Sequence, residues 1–259
     1  MKVIHLSYTH NTRDIGGMLT NCNYKIKENK LIRSGSLHRL SSKDIETLAS
    51  LNIKVVIDFR SESDFINKPD IRLENVTYLS FPALPKEEKE KINKRADSNL
   101  LDLVNKETGG KILLMNTYKN MFITKEGILA YKNFFKVLKE NEDGAILWHC
   151  SQGKDRAGLA AYLLQYVLGV SKEDRDKDYM FTNEAMKLKI KQLTPIVLKQ
   201  SGNDKTLLKN LKDVFSADMD YLNEALKTID EYYGNIDIFL KNVLEVDYDA
   251  LKEKYLEKQ

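Results

Sequence analysis

Short apolar runs alternate along the chain with longer stretches in which apolar residues recur every three or four positions. Runs at 3–6, 53–59, 76–81 and 145–149 fit buried strands, and the β-branched content of the second strengthens that reading. Between the runs, Ile45, Leu48 and Leu51 fall on one helical face behind Ser41 or Ser42 as an N-cap. Ile128, Tyr131, Phe134, Phe135 and Leu138 form another such face, stopped by the polar run 141–144 just before the 145–149 strand. Strand, helix, strand alternation predicts an α/β fold with a mostly parallel central sheet flanked by helices. Ligands of such sheets bind beyond the carboxyl ends of the strands.

Two stretches break this rhythm. Residues 86–127 open with a dense mix of charges around Leu100, Leu101, Leu103 and Val104 and pass through Gly109 and Gly110, so they are expected to form an inserted helical flap. A solvated surface excursion and a functional lid both fit that pattern. From 159 to 259 no strand pattern appears, and 160–168, 178–191 and 221–233 carry helical periodicity. The whole of 1–259 is expected to be a single domain, with no internal repeat.

A chain of 259 residues with 42% hydrophobic residues can bury a substantial core. Its 41 basic and 38 acidic side chains leave a net charge of only +3, so no global field argues for nucleic acid or a membrane surface. Any selectivity for anions must be local. The apolar runs fall far short of a membrane span, and no integral membrane contact is expected. The start, MKVIHLSYTH, lacks a signal peptide's apolar stretch, so the sequence reads as cytoplasmic, with secretion left open if a leader has been removed. Cys22 and Cys150 stand 128 positions apart without a CxxC or paired histidine spacing, which disfavours zinc and a disulfide framework. Neither a metal nor a cofactor is expected.

The chemistry concentrates where the 145–149 strand meets the next helix. There His149, Cys150, Ser151, Gln152, Gly153, Lys154, Asp155, Arg156, Ala157 and Gly158 follow one another. A phosphate dianion needs several convergent N–H donors, which a tight loop entering a helix N-terminus supplies. Gly153 lets the backbone approach the anion, and Arg156, six residues after Cys150, can pair two of its oxygens with a planar fork. The same positive surroundings favour a thiolate, the nucleophilic form of cysteine. A buried inert cysteine before a polar loop is the bland alternative. A nucleotide-binding P-loop is excluded, because Gly153-Lys154 is followed by Asp155 and Trp148 occupies the leading glycine position.

The run HCSQGKDRAG resembles the signature of cysteine-dependent protein-tyrosine phosphatases, and more closely a bacterial subgroup whose loop reads HCxxGKDRTG. Asn11-Thr12-Arg13-Asp14-Ile15-Gly16-Gly17, Arg33-Ser34, Asp58-Phe59-Arg60 and the run from Asp178 to Asn183 resemble further elements of that subgroup, in order. The resemblance implies a phosphate-monoester hydrolase acting through a phosphocysteine on phosphotyrosine, and on phosphoserine, phosphothreonine or phosphoinositides as further substrates. By that likeness Ser151, Gln152, Gly153, Lys154, Ala157 and Gly158 bind substrate, with Lys154 as an added cation for a polyanionic headgroup. Ala157 stands where the family usually carries Thr, a hydroxyl that would donate to the leaving thiolate.

The reaction calls for a proton donor. Asp143 precedes the strand at its far end, and Asp102 reaches the site only if the flap folds over. Asp155 is the better candidate, and the subgroup is thought to use that position; Asp58 stays in reserve. His149 is expected to orient the strand end, with Arg13, Asp14, Asp58 and Arg60 as supporting residues. Two rivals remain at this point: a phosphate-binding pseudophosphatase, and an arsenate reductase or sulfurtransferase using the same Cys-loop-Arg device.

Overall fold

In the computed structural model, which describes residues 1–85, 110–200, 202 and 204–259, the strands are β1 (Lys2–Val3), β2 (Arg13–Asp14), β3 (Tyr24–Ile26), β4 (Leu31–Ser34), β5 (Ile53–Asp58), β6 (Thr77–Ser80), β7 (Ala145–His149) and β8 (Leu256–Lys258). Six of them form one sheet in the order β1-β2-β4-β7-β5-β6. The pairings β4·β7, β7·β5 and β5·β6 are parallel, whereas β1·β2 and β2·β4 are antiparallel. The mostly parallel sheet expected from the alternation is present, with an antiparallel edge. β7 sits in its centre and carries Cys150 just past its carboxyl end.

Both faces of the sheet are buried at its central strands β5 and β7, which is why those two read as apolar runs. Ile57, Ile146 and Trp148 turn into a large core shared with Phe134 and Leu159, while Ile32, Val56 and Leu147 turn into a smaller one with Leu48. Among the described residues, the helices up to the loop are α1 (Ser42–Ala49), α2 (Glu62–Asn67), α3 (Gly110–Ile123), α4 (Lys125–Glu140) and α5 (Arg156–Val167); α4 and α5 cover the first core and α1 the second, so they lie on opposite faces. Ser41 caps α1 and Asp44 returns the bond to the Ser41 backbone, completing a capping box. Trp148 is fixed by an edge contact with Phe134, ring centroids 5.3 Å apart, and by donating Nε1–H to the Ala157 carbonyl at 3.0 Å. Truncating so large a buried ring typically costs about 3–5 kcal/mol.

Residues 86–109 of the anticipated flap lie outside the described residues; 110–127 form a helix, Gly110–Ile123, and the start of α4. That helix buries Leu114, Tyr118, Met121 and Phe122 in the main core and packs on the helix Met219–Tyr233. One expectation needs correction. The chain after 159 is helical as far as Tyr255, yet its last residues form β8, paired antiparallel with β3. Three residues of mixed polarity carry no periodicity from which a strand can be read. Among the described residues, no helix is long and apolar enough to cross a membrane.

Candidate active site

Cys150 is buried, 1% exposed, between the end of β7 and a loop that enters α5 at Arg156. Arg156 donates from Nη2 to the Ser151 hydroxyl at 3.1 Å and from Nη1 to the Phe59 carbonyl at 3.4 Å, and the same Nη1 lies 3.7 Å from Asp64. Burial works against its charge, but Cys150, Asp64, Asp155 and Asp58 together hold the guanidinium above its ordinary pKa. The cysteine and the fork are thus set on one loop, with the fork bent back towards it.

The loop is held from outside by residues that arrive from two distant segments. The Gly153 carbonyl accepts from Asn11 Nδ2 at 3.0 Å and from Arg33 Nη2 at 2.8 Å, and Asn11 Nδ2 also reaches the Gln152 carbonyl at 3.2 Å. Within a trans peptide unit C=O and N–H point in opposite directions. Pinning these two carbonyls therefore turns the Gly153 and Lys154 N–H groups away from Asn11 and Arg33, to the side where an anion can bind. Gly153 has φ +65°, and a Cβ there would stand 2.5 Å from the Ser34 carbonyl oxygen. Glycine is required at 153 by both conformation and space, and the close approach is to Ser34.

Behind the clamp lies a buried ionic knot. Asp178 accepts from Arg13 Nε at 2.6 Å, from Arg33 Nη1 at 2.8 Å and from Gln165 Nε2 at 2.9 Å. Burial pushes the Asp178 carboxyl up, but the two guanidinium groups outweigh it and hold its pKa well below the usual range. Arg13 also donates to Asn11 Oδ1. Gly158 leaves the space for Arg33: a Cβ there would meet its Nη2 at 2.9 Å. Gly158 thus faces the clamp, not the expected substrate-binding surface.

Several expected supporting residues have other tasks. Asp14 accepts from the backbone of Gly16 at 2.8 Å and of Asn29 at 2.6 Å, so it closes a turn away from the loop. Asp58 is taken up by Arg60, whose Nε lies 3.0 and 2.9 Å from its two oxygens. Arg60 Nη2 stands 2.8 Å from both Asp58 and Asp70, and His149 Nε2 lies 3.0 Å from Asp70. Asp58, Asp70 and His149 have metal-ligating atoms within 4.8 Å of one another, but the Arg60 guanidinium already bridges the two carboxylates. His149 is fully buried in this set.

Lys154 departs most from expectation. Its side chain is fully buried, and Nζ donates to the Ser216 carbonyl at 3.0 Å, lies 3.0 Å from Asp155 Oδ1 and sits 5.5 Å from the Tyr221 ring centre. The ammonium placed against the substrate by sequence reasoning is spent inside the protein. Asp155 occupies the N-cap position of α5 without a side-chain capping bond, and its side chain is 19% exposed. Tyr118 faces it; burial, and next the Asp155 charge, push the Tyr118 pKa well up, so the phenol stays a donor. Ala157 is buried in the main core.

Asn11, Arg33, Asp178, Asp70 and Tyr118 are working residues that the sequence alone does not single out. The first three stand inside motifs that carried the resemblance, so order along the chain was a usable signal. Asp70 and Tyr118 carry no local pattern, and only the fold brings them in.

The family model for the tyrosine phosphatase family matches residues 4–257. This chain belongs to the tyrosine phosphatase family. The phosphatase is 26% identical over 250 residues to a Cupriavidus necator protein named as a tyrosine-protein phosphatase, a match covering 95% of this chain and 85% of the relative. It is likewise 26% identical over 276 residues to the triple specificity protein phosphatase PtpB of Mycobacterium tuberculosis, covering 93% and 94%. Among solved structures, P. aeruginosa TpbA in complex with pTyr matches at 14% identity over 80% of the phosphatase and 90% of that chain, with a TM-score of 0.29, too distant to carry an argument. Family membership settles the earlier choice against an arsenate reductase or sulfurtransferase.

Proposed function

We propose that the chain hydrolyses phosphotyrosine in two displacements, with Cys150 as the nucleophile and Arg156 as the residue that binds the transferred phosphoryl group. The observation that carries this reading is the placement of Cys150 and Arg156 at the two ends of one loop whose Gln152 and Gly153 carbonyls are pinned outward by Asn11 and Arg33. In the first displacement sulfur attacks phosphorus as the ester oxygen leaves, and the developing charge is matched by the fork and the loop amides. Asp155 gives the proton to the departing oxygen, then as a carboxylate activates the water that cleaves the phosphocysteine. Its freedom from capping and its partial exposure support that role.

The motif resemblance extends the proposed range to phosphoserine, phosphothreonine and phosphoinositides, and the M. tuberculosis relative is named a triple specificity phosphatase. We place the reaction in the cytoplasm, since Cys22 and Cys150 are both free thiols and the nucleophile must stay reduced. The test is phosphate release from phosphotyrosyl, phosphoseryl and phosphoinositide substrates, with Cys150→Ser as control. More than one equivalent of phosphate per chain, lost in the variant, is the expected result. A single equivalent would mark a phosphate-binding module instead.

A further inference from the structure

With Lys154 buried, the positive charge that a substrate meets beside the loop must come from elsewhere. Several contacts bring other cations to the rim. The Ser36 amide donates to the Ser151 carbonyl at 3.4 Å, and Ser36 Oγ stands 2.7 Å from His38 Nδ1, which ties the segment 36–38 to the phosphate loop. Asp70 accepts from the Leu37 amide at 3.0 Å and Ile71 donates to the Leu37 carbonyl at 3.0 Å, while Arg60 Nη1 holds the Lys68 carbonyl at 2.9 Å. Lys68 is thereby fixed next to His38, and it is exposed. On the other side, Asn11 Nδ2 reaches Thr182 Oγ1 at 3.4 Å, so the helix Thr182–Gln200 starts against the loop clamp. Two turns along that helix is Lys189, half-buried, with Nζ 5.8 Å from the Phe215 ring centre.

The two lysines are close enough to feel each other. Burial, and after it repulsion from Lys68, lowers the Lys189 pKa; burial and then Lys189 lowers that of His10, whose carbonyl accepts from Gly35 at 3.0 Å. His38 is lowered by burial and then by Lys68. Like charges gathered this way are unfavourable without a counter-charge. Among the described residues, neither Lys68 nor Lys189 makes an ion pair.

We infer that Lys68 and Lys189 form a second anion subsite at the rim of the phosphate loop, which takes a further phosphate on the substrate, as in a bisphosphorylated inositol ring. The inference rests on the phosphatase reading of the loop. A dianion set between two ammonium groups relieves their repulsion, which a single carboxylate or hydroxyl would do less well. The nearness of the rim to Ser151 favours two phosphates on one small ring over phosphates spread along a peptide.

The experiment compares kcat/KM for a monophosphorylated and a bisphosphorylated soluble inositol phosphate, and for a doubly phosphorylated peptide, in the wild type and in Lys68→Ala, Lys189→Ala and the double variant. The double variant should lose about tenfold more on the bisphosphate than on the monophosphate, mainly through KM. Equal losses on both, or a loss greatest on the peptide, would overturn the inference. A second arm measures bisphosphate binding to Cys150→Ser with and without the lysines, by calorimetry. Lysine-dependent binding supports the subsite even if the wild type turns nothing over, which would sink only the catalytic reading; lysine-independent binding counts against the subsite whatever the turnover.

Discussion

Lys154 Nζ donates to the Ser216 carbonyl at 3.0 Å, joining the phosphate loop to a segment 62 positions away. Ser216 follows the helix Lys205–Phe215 and precedes Met219–Tyr233, so the bond docks the C-terminal helices on the loop. The sequence expectation for Lys154 is a selective loss on polyanionic substrates. The buried geometry leads to a different outcome: Lys154→Met slows monophosphates and polyphosphates by similar factors. It also costs about 1–3 kcal/mol of stability, because the part-buried Ser216 carbonyl loses its partner. Urea unfolding and a substrate panel on the same variant check both parts.

Arg156→Lys is expected to reduce kcat by about 100- to 1000-fold while changing stability little. An ammonium keeps the charge but cannot pair two phosphoryl oxygens and the Ser151 hydroxyl from one plane, as the guanidinium at 3.1 Å from that hydroxyl is placed to do. Steady-state kinetics on nitrophenyl phosphate, with circular dichroism to confirm the fold, provide the check. Activity within a few-fold of wild type would remove Arg156 from the transition state.

The sheet and the loop were legible because each rests on a local pattern. β5 and β7 are buried on both faces and read as apolar runs, and the loop's chemistry lies within ten consecutive residues. β4 was not legible as a strand: Leu31 and Ile32 are followed by Arg33 and Ser34, polar yet fully buried. Arg33 is inside because Asp178 and the Gly153 carbonyl receive it, and those partners lie 145 and 120 positions away. Lys154 was misplaced for the same reason, since its distant partners Ser216 and Tyr221 decide its direction. Asp58 was readable as a carboxylate at a strand end, but that Arg60 occupies it depends on Asp70 closing the other side.

The Asp178 knot sets an acid limit on stability. Its folded pKa is depressed from the ordinary 3.8, so the carboxylate contributes stability that is fully present above the unfolded value. That contribution falls away as pH drops below 3.8 towards the depressed folded value. Asp178→Asn leaves Arg13 and Arg33 buried without their counter-charge and should cost about 3–5 kcal/mol at neutral pH. The difference from wild type should shrink as pH falls below 4 in denaturation curves, because the wild-type carboxyl is then losing its charge as well. A difference independent of pH would mean that shape, not charge, holds the knot. Loss of the knot should also release Arg33 from Gly153, so activity falls before the fold does.

Asp155 decides how the leaving group departs. A nitrophenolate is a weak base and leaves with little help, whereas the alkoxide of phosphoserine needs its proton as the P–O bond breaks. Asp155→Asn should therefore slow alkyl phosphates far more than nitrophenyl phosphate, steepening the dependence of rate on leaving-group pKa. Steady-state kcat/KM across esters of graded leaving-group pKa is the check. If every ester slows equally in Asp155→Asn, the acid must be another carboxylate at the mouth. Asp64, 3.7 Å from Arg156, is then the next residue to replace by Asn.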